Sequence, residues 1–384
     1  MPPLAAPSRR QLRRDMKSRK LKHLEQPSRQ KPVESIQALR AVAAAMVVIY
    51  HMVHMEQVYG GGASVLGGPA NFGFAGVDIF FVISGFIMAA VTAGRFGDAA
   101  GAGKFLCRRA IRIFPLYWLC TAVVVAALLV RPALLDPDLA EKSVMASLLL
   151  LPQEGGPLLV VGWTLTYELF FYAVTALALA FSSNSRVPHL VLGWAVVLLF
   201  LQMLPTHDPS SNLLTSPLAF EFMAGALSGL YWRKLSARHA LLTVMGAGAW
   251  MVAAGVLLVD HAYYGQADAV RVVAFGIPAA FLVAGLARLE IDGRIRPPRF
   301  AVSLGDASYS LYLTHLFVLS LSGRIWSTAG ATGTFLGNAA FVASTFCVCC
   351  GVALLVYRFT ERPLIALGNH ALARRRTRGA RANP

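Results

Sequence analysis

Residues 35–56, SIQALRAVAAAMVVIYHMVHME, form an apolar run long enough to cross a bilayer, yet the run carries Arg40, His51 and His54. Charged and ionisable side chains are expensive at that depth, so a span that keeps them marks a functional site and confines the fold to one that shields them from lipid. Arg40 and His51 are eleven positions apart. On a 3.6-residue helix that is almost three turns, so both lie on one stripe about 16 Å apart, a cation near one surface and an imidazole deep inside.

The rest of the chain has membrane composition. Of its 384 residues, 56% are hydrophobic and 14% charged, a balance that soluble domains do not have. Ten apolar spans can be drawn, over 36–55, 74–93, 111–130, 160–181, 187–204, 217–232, 239–259, 270–287, 303–322 and 335–357. The expected fold is all-α: a polytopic membrane helix bundle of about ten transmembrane helices. Three regions follow: a disordered basic tail over 1–34, a membrane domain over 35–363 and a second basic tail over 364–384.

A net charge of +16 would suggest nucleic acid in a soluble protein, but here its distribution is a topology signal. Of the 35 Lys and Arg residues, 30 fall in the two tails and in alternate connections, and only Arg131, Lys142, Arg271 and Arg324 fall on the other side. The positive-inside rule then places both termini in the cytoplasm, as an even number of spans requires, and the Ala- and Arg-rich composition favours a multi-pass protein of the cytoplasmic (inner) membrane. Membrane lipids are partners of such a chain, and no nucleic acid is expected. Five cysteines show neither metal-ligand spacing nor a disulfide framework, so no metal site is expected.

Counted from the outer end of each span at 1.5 Å per residue, His51 lies about 6 Å deep, Asp78 about 6 Å, Glu168 about 12 Å, Glu221 about 6 Å and His315 about 10 Å. Buried ionisable groups on five helices face the bundle interior and pair with one another. Any one of them alone is as readily a structural hydrogen-bonding group. Two imidazoles with three carboxylates shift the balance to chemistry, because a buried base needs a partner that fixes its tautomer. On the cytoplasmic side, Arg109 and Arg112 lie three apart in RRAIRIFPLYW (108–118), at the level of Arg40. Inward guanidinium forks suit a phosphate-rich ligand.

The run LRAVAAAMVVIYH (39–51) resembles the Arg/Lys-x10-His signature of the acyltransferase-3 family of integral membrane acyltransferases. GVDIFFVISGF (76–86), RRAIRIFPLYW (108–118), WTLTYELFFY (163–172), SYSLYLTH (308–315) and TERP (360–363) resemble further blocks of that family in the same order. The leading IQALRAVAA is most similar to the branch that acetylates exopolysaccharide and other cell-envelope sugars. Residues 187–300 match no block, and acceptor choice is expected there.

The resemblance implies an O-acyltransferase with no permanently bound cofactor. Its donor substrate would be cytoplasmic acetyl-CoA or another acyl-CoA, and its acceptor a hydroxyl of a glycan or lipid-linked sugar, with polysaccharide-assembly proteins as partners. It carries Arg40 and His51 over as the essential pair, Arg109 and Arg112 as donor-side residues, and Asp78 and Glu168 as polar residues of the site. On that reading His51 is the general base and Glu168 or Asp78 orients it. Ser84, Trp163 and Tyr167, in matching blocks, are candidate oxyanion donors, with Glu221 and His315 nearby. Direct transfer and an acyl-His51 intermediate both remain open. The competing class is a transporter or flippase for an envelope lipid or anion, which buried Arg, His and Glu also fit.

Overall fold

The computed structural model describes residues 33–62, 64–131, 136–205, 208–258, 269–330 and 332–381, with the backbone alone for 375–381. The expected basic tail over 1–34 lies almost wholly outside the described residues. No strand occurs among them. The long helices are α1 (Glu34–Tyr59), α2 (Ala75–Thr92), α3 (Ala99–Val130), α4 (Trp163–Phe181), α5 (Val187–Leu201), α6 (Leu218–Tyr231), α7 (Ala237–Leu257) and α8 (Ile277–Ile291). The short α9 (Arg299–Asp306) follows, then α10 (Ser308–Thr328), α11 (Phe335–Val356) and α12 (Arg362–Arg381).

A helix stands at each of the ten expected spans. Among the described residues, eight helical segments are long and apolar enough to cross a membrane. The other two depart for identifiable reasons. α5 is apolar but only 15 residues long, and α10 has the length but spends it on Ser, Thr, Tyr, His315 and Arg324. Side chains such as Leu129, Phe181 and Leu336 stand almost fully exposed on the outside of the bundle, where hydrocarbon replaces water as the favourable surroundings.

Helix α1 is held at both ends by carboxylates. Glu290 of α8 accepts the backbone N–H of Glu34 at 2.8 Å and of Ser35 at 2.6 Å, satisfying donors that a first turn leaves unpaired and complementing its positive dipole end. Beyond the other end, buried Glu56 accepts the N–H of Val65 at 2.6 Å and of Leu66 at 2.9 Å, folding the loop back on the helix. These two clamps fix the level of Arg40 and His51.

Helices α2 and α6 make the most extensive pairing in the bundle. Their closeness depends on two glycines: a Cβ on Gly85 would stand 2.0 Å from the Phe222 carbonyl oxygen, and one on Gly225 would stand 2.0 Å from that of Val82. Small residues at a crossing let membrane helices touch backbone to backbone.

Two further features lie outside the ten spans. The segment expected as a basic tail over 364–384 is helical to Arg381, and α12 packs on α3. In the 131–159 connection, a short helix Val144–Leu149 is tied to α3, with Tyr117 Oη donating to the Ser147 carbonyl and Trp118 Nε1 to that of Leu148.

Candidate active site

A narrow slot runs along the inner face of α2 from Val77 to Met88. Eleven helical steps make it about 16 Å long. Its cavity volume is about 80 Å³. A single water needs about 10–15 Å³ on the same measure, so the slot takes a thin chain and excludes a sugar ring. Its wall is apolar in the middle, with Phe80, Phe81, Ile83 and Ile87, and polar toward the ends. At one end stand Arg40, Arg109, Arg112, Glu168, Ser84 and Ser308; at the other, Thr164 and Tyr312.

The cationic end is preorganised. Arg40 donates from Nε at 3.0 Å and from Nη2 at 2.9 Å to the Ser308 hydroxyl. Arg109 lies over two rings, 5.4 Å from the Phe105 centroid and 5.3 Å from that of Tyr172. Tyr172 donates its hydroxyl to Glu168, and Ser84 donates to the same carboxylate at 3.5 Å. Glu168, Glu361 and Asp306 all act electrostatically on this cluster of guanidiniums. These carboxylates offset part of the positive charge of Arg40 and Arg112, neither of which makes an ion pair among the described residues.

At the other end, Tyr312 closes the slot. Its hydroxyl lies 2.8 Å from Thr164 Oγ1 and donates to the Val161 carbonyl at 3.1 Å, while Phe80 packs edge-on against its ring. Behind Tyr312 lies His315, ring centroids 6.1 Å apart, and beyond it His51, at 5.1 Å from His315. Fully buried His315 faces the Leu311 carbonyl with Nδ1 at 3.1 Å. A carbonyl only accepts, so Nδ1 carries the proton and Nε2 keeps its lone pair, without a hydrogen-bond partner among the described residues. His51 is half-buried, with Tyr50 edge-on against it at 5.1 Å. His54 is exposed.

The expected constellation is thus rearranged. Arg40, Arg109, Arg112, Glu168 and Ser84 do meet, and His51 meets His315. Neither expected orienter contacts His51. Glu168 belongs to the cationic end, and Asp78 is held in a buried two-point ion pair with Arg271, Nε to Oδ1 at 2.7 Å and Nη2 to Oδ2 at 3.0 Å. Glu221 completes this second cluster, fully buried against Gly276, where any side chain would collide with it. Gly276 ends a π-helical turn, Val272–Gly276, that directly follows Arg271. Trp163 and Tyr167 line neither the slot nor the imidazole pair. They face a separate cleft of about 390 Å³ with Gln153, Glu154 and Asn212.

Sequence reasoning counted Arg271, at the outer end of the 270–287 span, only as an outer-side basic residue and gave it no place in the site. The signal was present: Arg271 is one of only four basic residues on the poorly charged side, where a cation needs a local reason. No group of three metal-ligating side chains occurs among the described residues.

A polytopic helical bundle with a thin polar-ended slot and buried imidazoles defines a class, and the comparisons agree with it. Residues 33–358 match the family model described as Acyl_transf_3, acyltransferase domain, so the chain belongs to the acyltransferase-3 family and is a multi-pass membrane acyltransferase. Membership sets aside the transporter alternative.

Among relatives, the chain is similar to the exopolysaccharide production protein ExoZ of Rhizobium meliloti, 35% identical over 323 residues, covering 80% of this chain and 94% of that protein. The branch expected from IQALRAVAA is met by this likeness. A putative peptidoglycan O-acetyltransferase, YrhL of Bacillus subtilis, is 26% identical over 383 residues, covering 89% of this chain and 56% of that protein. The acyltransferase MdmB of Streptomyces mycarofaciens is 26% identical over 348 residues, covering 79% and 86%. No solved structure matches.

Proposed function

We propose that the protein transfers an acyl group, with acetyl the default, from cytoplasmic acyl-CoA to a hydroxyl of a cell-envelope glycan or lipid-linked sugar. The observation that carries this reading is the slot. It joins a guanidinium cluster at one end to a plug one ring away from the His315–His51 pair at the other. A thioester on a thin, flexible arm is the acyl donor that fits such a passage. The distribution of basic residues supports a cytoplasmic guanidinium end, and the likeness to exopolysaccharide and peptidoglycan proteins supports the cytoplasmic (inner) membrane as its location. The likeness to ExoZ and YrhL supports a glycan acceptor and leaves room for polysaccharide-assembly proteins as partners.

In the reaction, His51 accepts the proton of the acceptor hydroxyl as its oxygen attacks the thioester carbonyl carbon. The tetrahedral intermediate collapses, the carbon–sulfur bond breaks, and the departing thiolate takes a proton back from the imidazolium. A thiol of ordinary acidity, pKa about 8.5, leaves with little help. His315, its tautomer set by the Leu311 carbonyl, packs on His51 and fixes the attitude of that ring. Arg40, seated on Ser308, and Arg109 and Arg112 hold the donor, while Glu168 keeps those guanidiniums in place. Asp78, Arg271 and Glu221 brace α2, the wall of the slot.

The test is thiol release from acetyl-CoA by purified detergent-solubilised protein, with and without envelope glycans, for wild type, His51→Ala and Arg40→Ala. Release that depends on both residues supports the reading. Folded wild-type protein that neither binds nor turns over acetyl-CoA refutes it.

A further inference from the structure

Beside the cationic end of the slot lies a second, wider cavity of about 520 Å³. It is lined by Val91 and Thr92 from the end of α2, Arg95 and Asp98 from the connection, Gly101, Lys104, Phe105, Arg108 and Arg109 from the start of α3, and Leu179 from α4. Four cations face one carboxylate. Among the described residues the ion pairs are Arg271–Asp78 and Arg288–Asp292, so none of Arg95, Lys104, Arg108 and Arg109 is paired. The first turn of α3, which supplies Gly101, adds the positive end of a 32-residue helix. Arg40 and Arg112 make no ion pair among the described residues either, but the slot they line has three cations to the one carboxylate of Glu168. The bay, with four cations to one carboxylate, is the more positive of the two cavities.

Bay and slot share one wall residue, Arg109, sandwiched by Phe105 and Tyr172. A molecule with a bulky polyanionic head and a thin arm would fill both cavities, head in the bay and arm past Arg109.

We propose that the bay seats the phosphorylated nucleotide end of the acyl donor, with Arg95, Lys104 and Arg108 as its phosphate ligands. This rests on the reading that the donor is an acyl-CoA and moves the donor's phosphates away from Arg40 and Arg112. The shared chemistry is a phosphate cluster, which an anionic lipid headgroup also offers, so the test separates the two sources.

The experiment compares full-length wild type, the triple variant Arg95→Gln/Lys104→Gln/Arg108→Gln, and a control, Arg238→Gln/Arg299→Gln, which removes basic residues outside the bay. The first readout is direct binding of adenosine 3′,5′-bisphosphate in neutral detergent. The triple variant loses at least about tenfold in affinity and the control keeps it. The second readout is turnover. The triple variant raises KM for acetyl-CoA at least about tenfold with kcat little changed, and matches wild type when the donor is acetyl-pantetheine, which has the arm but not the nucleotide.

Equal bisphosphate binding by triple variant and wild type overturns the proposal, as does no binding by wild type. If the triple variant instead loses only its stabilisation by phosphatidylglycerol micelles, the bay is a lipid site and the proposal falls. Thiol release that depends on His51 but keeps its KM in the triple variant sinks the bay and leaves the function standing. Absence of thiol release from every protein sinks the donor reading itself.

Discussion

Replacing Asp78 by Asn separates two roles for a residue that its sequence block suggests is catalytic. In the structure both carboxylate oxygens meet Arg271, at 2.7 and 3.0 Å, and both side chains are buried to 1% exposure or less. Removing one member of such a pair strands the other charge, at a cost of about 3–5 kcal/mol. Glu221, which acts on both Asp78 and Arg271, remains as a partial counter-charge in Asp78→Asn and holds the loss to about 3 kcal/mol.

Arg271→Met is the harsher change. It leaves two buried carboxylates together without a cation, and about 5 kcal/mol is expected. In Asp78→Asn/Arg271→Met the strongest stranded charge is gone, so the double variant is more stable than the sum of the singles by about 2–3 kcal/mol. At about 1–2 °C per kcal/mol for a chain of this length, Asp78→Asn lowers the unfolding midpoint in detergent by about 3–6 °C. The assay is a double-mutant cycle on thermal unfolding followed by intrinsic fluorescence, beside thiol release below the transition. A coupling under about 0.5 kcal/mol refutes the reasoning. So does an Asp78→Asn protein that melts like wild type yet has lost turnover, which would return Asp78 to the reaction.

His51→Ala is expected to lower turnover about 10²–10⁴-fold, the range of a lost general base, while the melting temperature and bisphosphate binding stay put. Gly225→Ala drives a methyl into the Val82 carbonyl at the α2–α6 crossing and costs about 1–3 kcal/mol in unfolding, whereas Gly246→Ala, with no atom within 4 Å, is neutral or stabilising by up to about 1 kcal/mol. Ser308→Ala removes the acceptor of two Arg40 N–H groups and raises the donor KM about tenfold, and Ser308→Thr restores it.

Much of the bundle was legible because membrane helices advertise themselves: lipid demands apolar length, and ten such stretches were visible between basic connections. The Arg40–His51 stripe was legible for the same reason, since any charge in such a run stands out. Pairings were not. Depth along a helix says nothing of azimuth, so five groups placed in the outer half resolved into three separate sets. His51 joined His315, Asp78 joined Glu221 and Arg271, and Glu168 turned toward the arginines. The slot also escaped the sequence, because its lining comes from five helices and its width depends on glycines at another crossing. The helical continuation through α12 was hidden by composition, since a basic tail and a basic surface helix read alike.

Tyr312 bears on a question that has nothing to do with bond making. With the guanidinium end in the cytoplasm, as proposed, a passage that reaches toward an imidazole pair is also a route for protons and ions, and an energised membrane lives on its potential. The ring of Tyr312, tied to Thr164 and Val161 and backed by Phe80, interrupts that route with low-dielectric material. With the proposed donor, each turnover has to open that gap by no more than the cross-section of the arm that fills it.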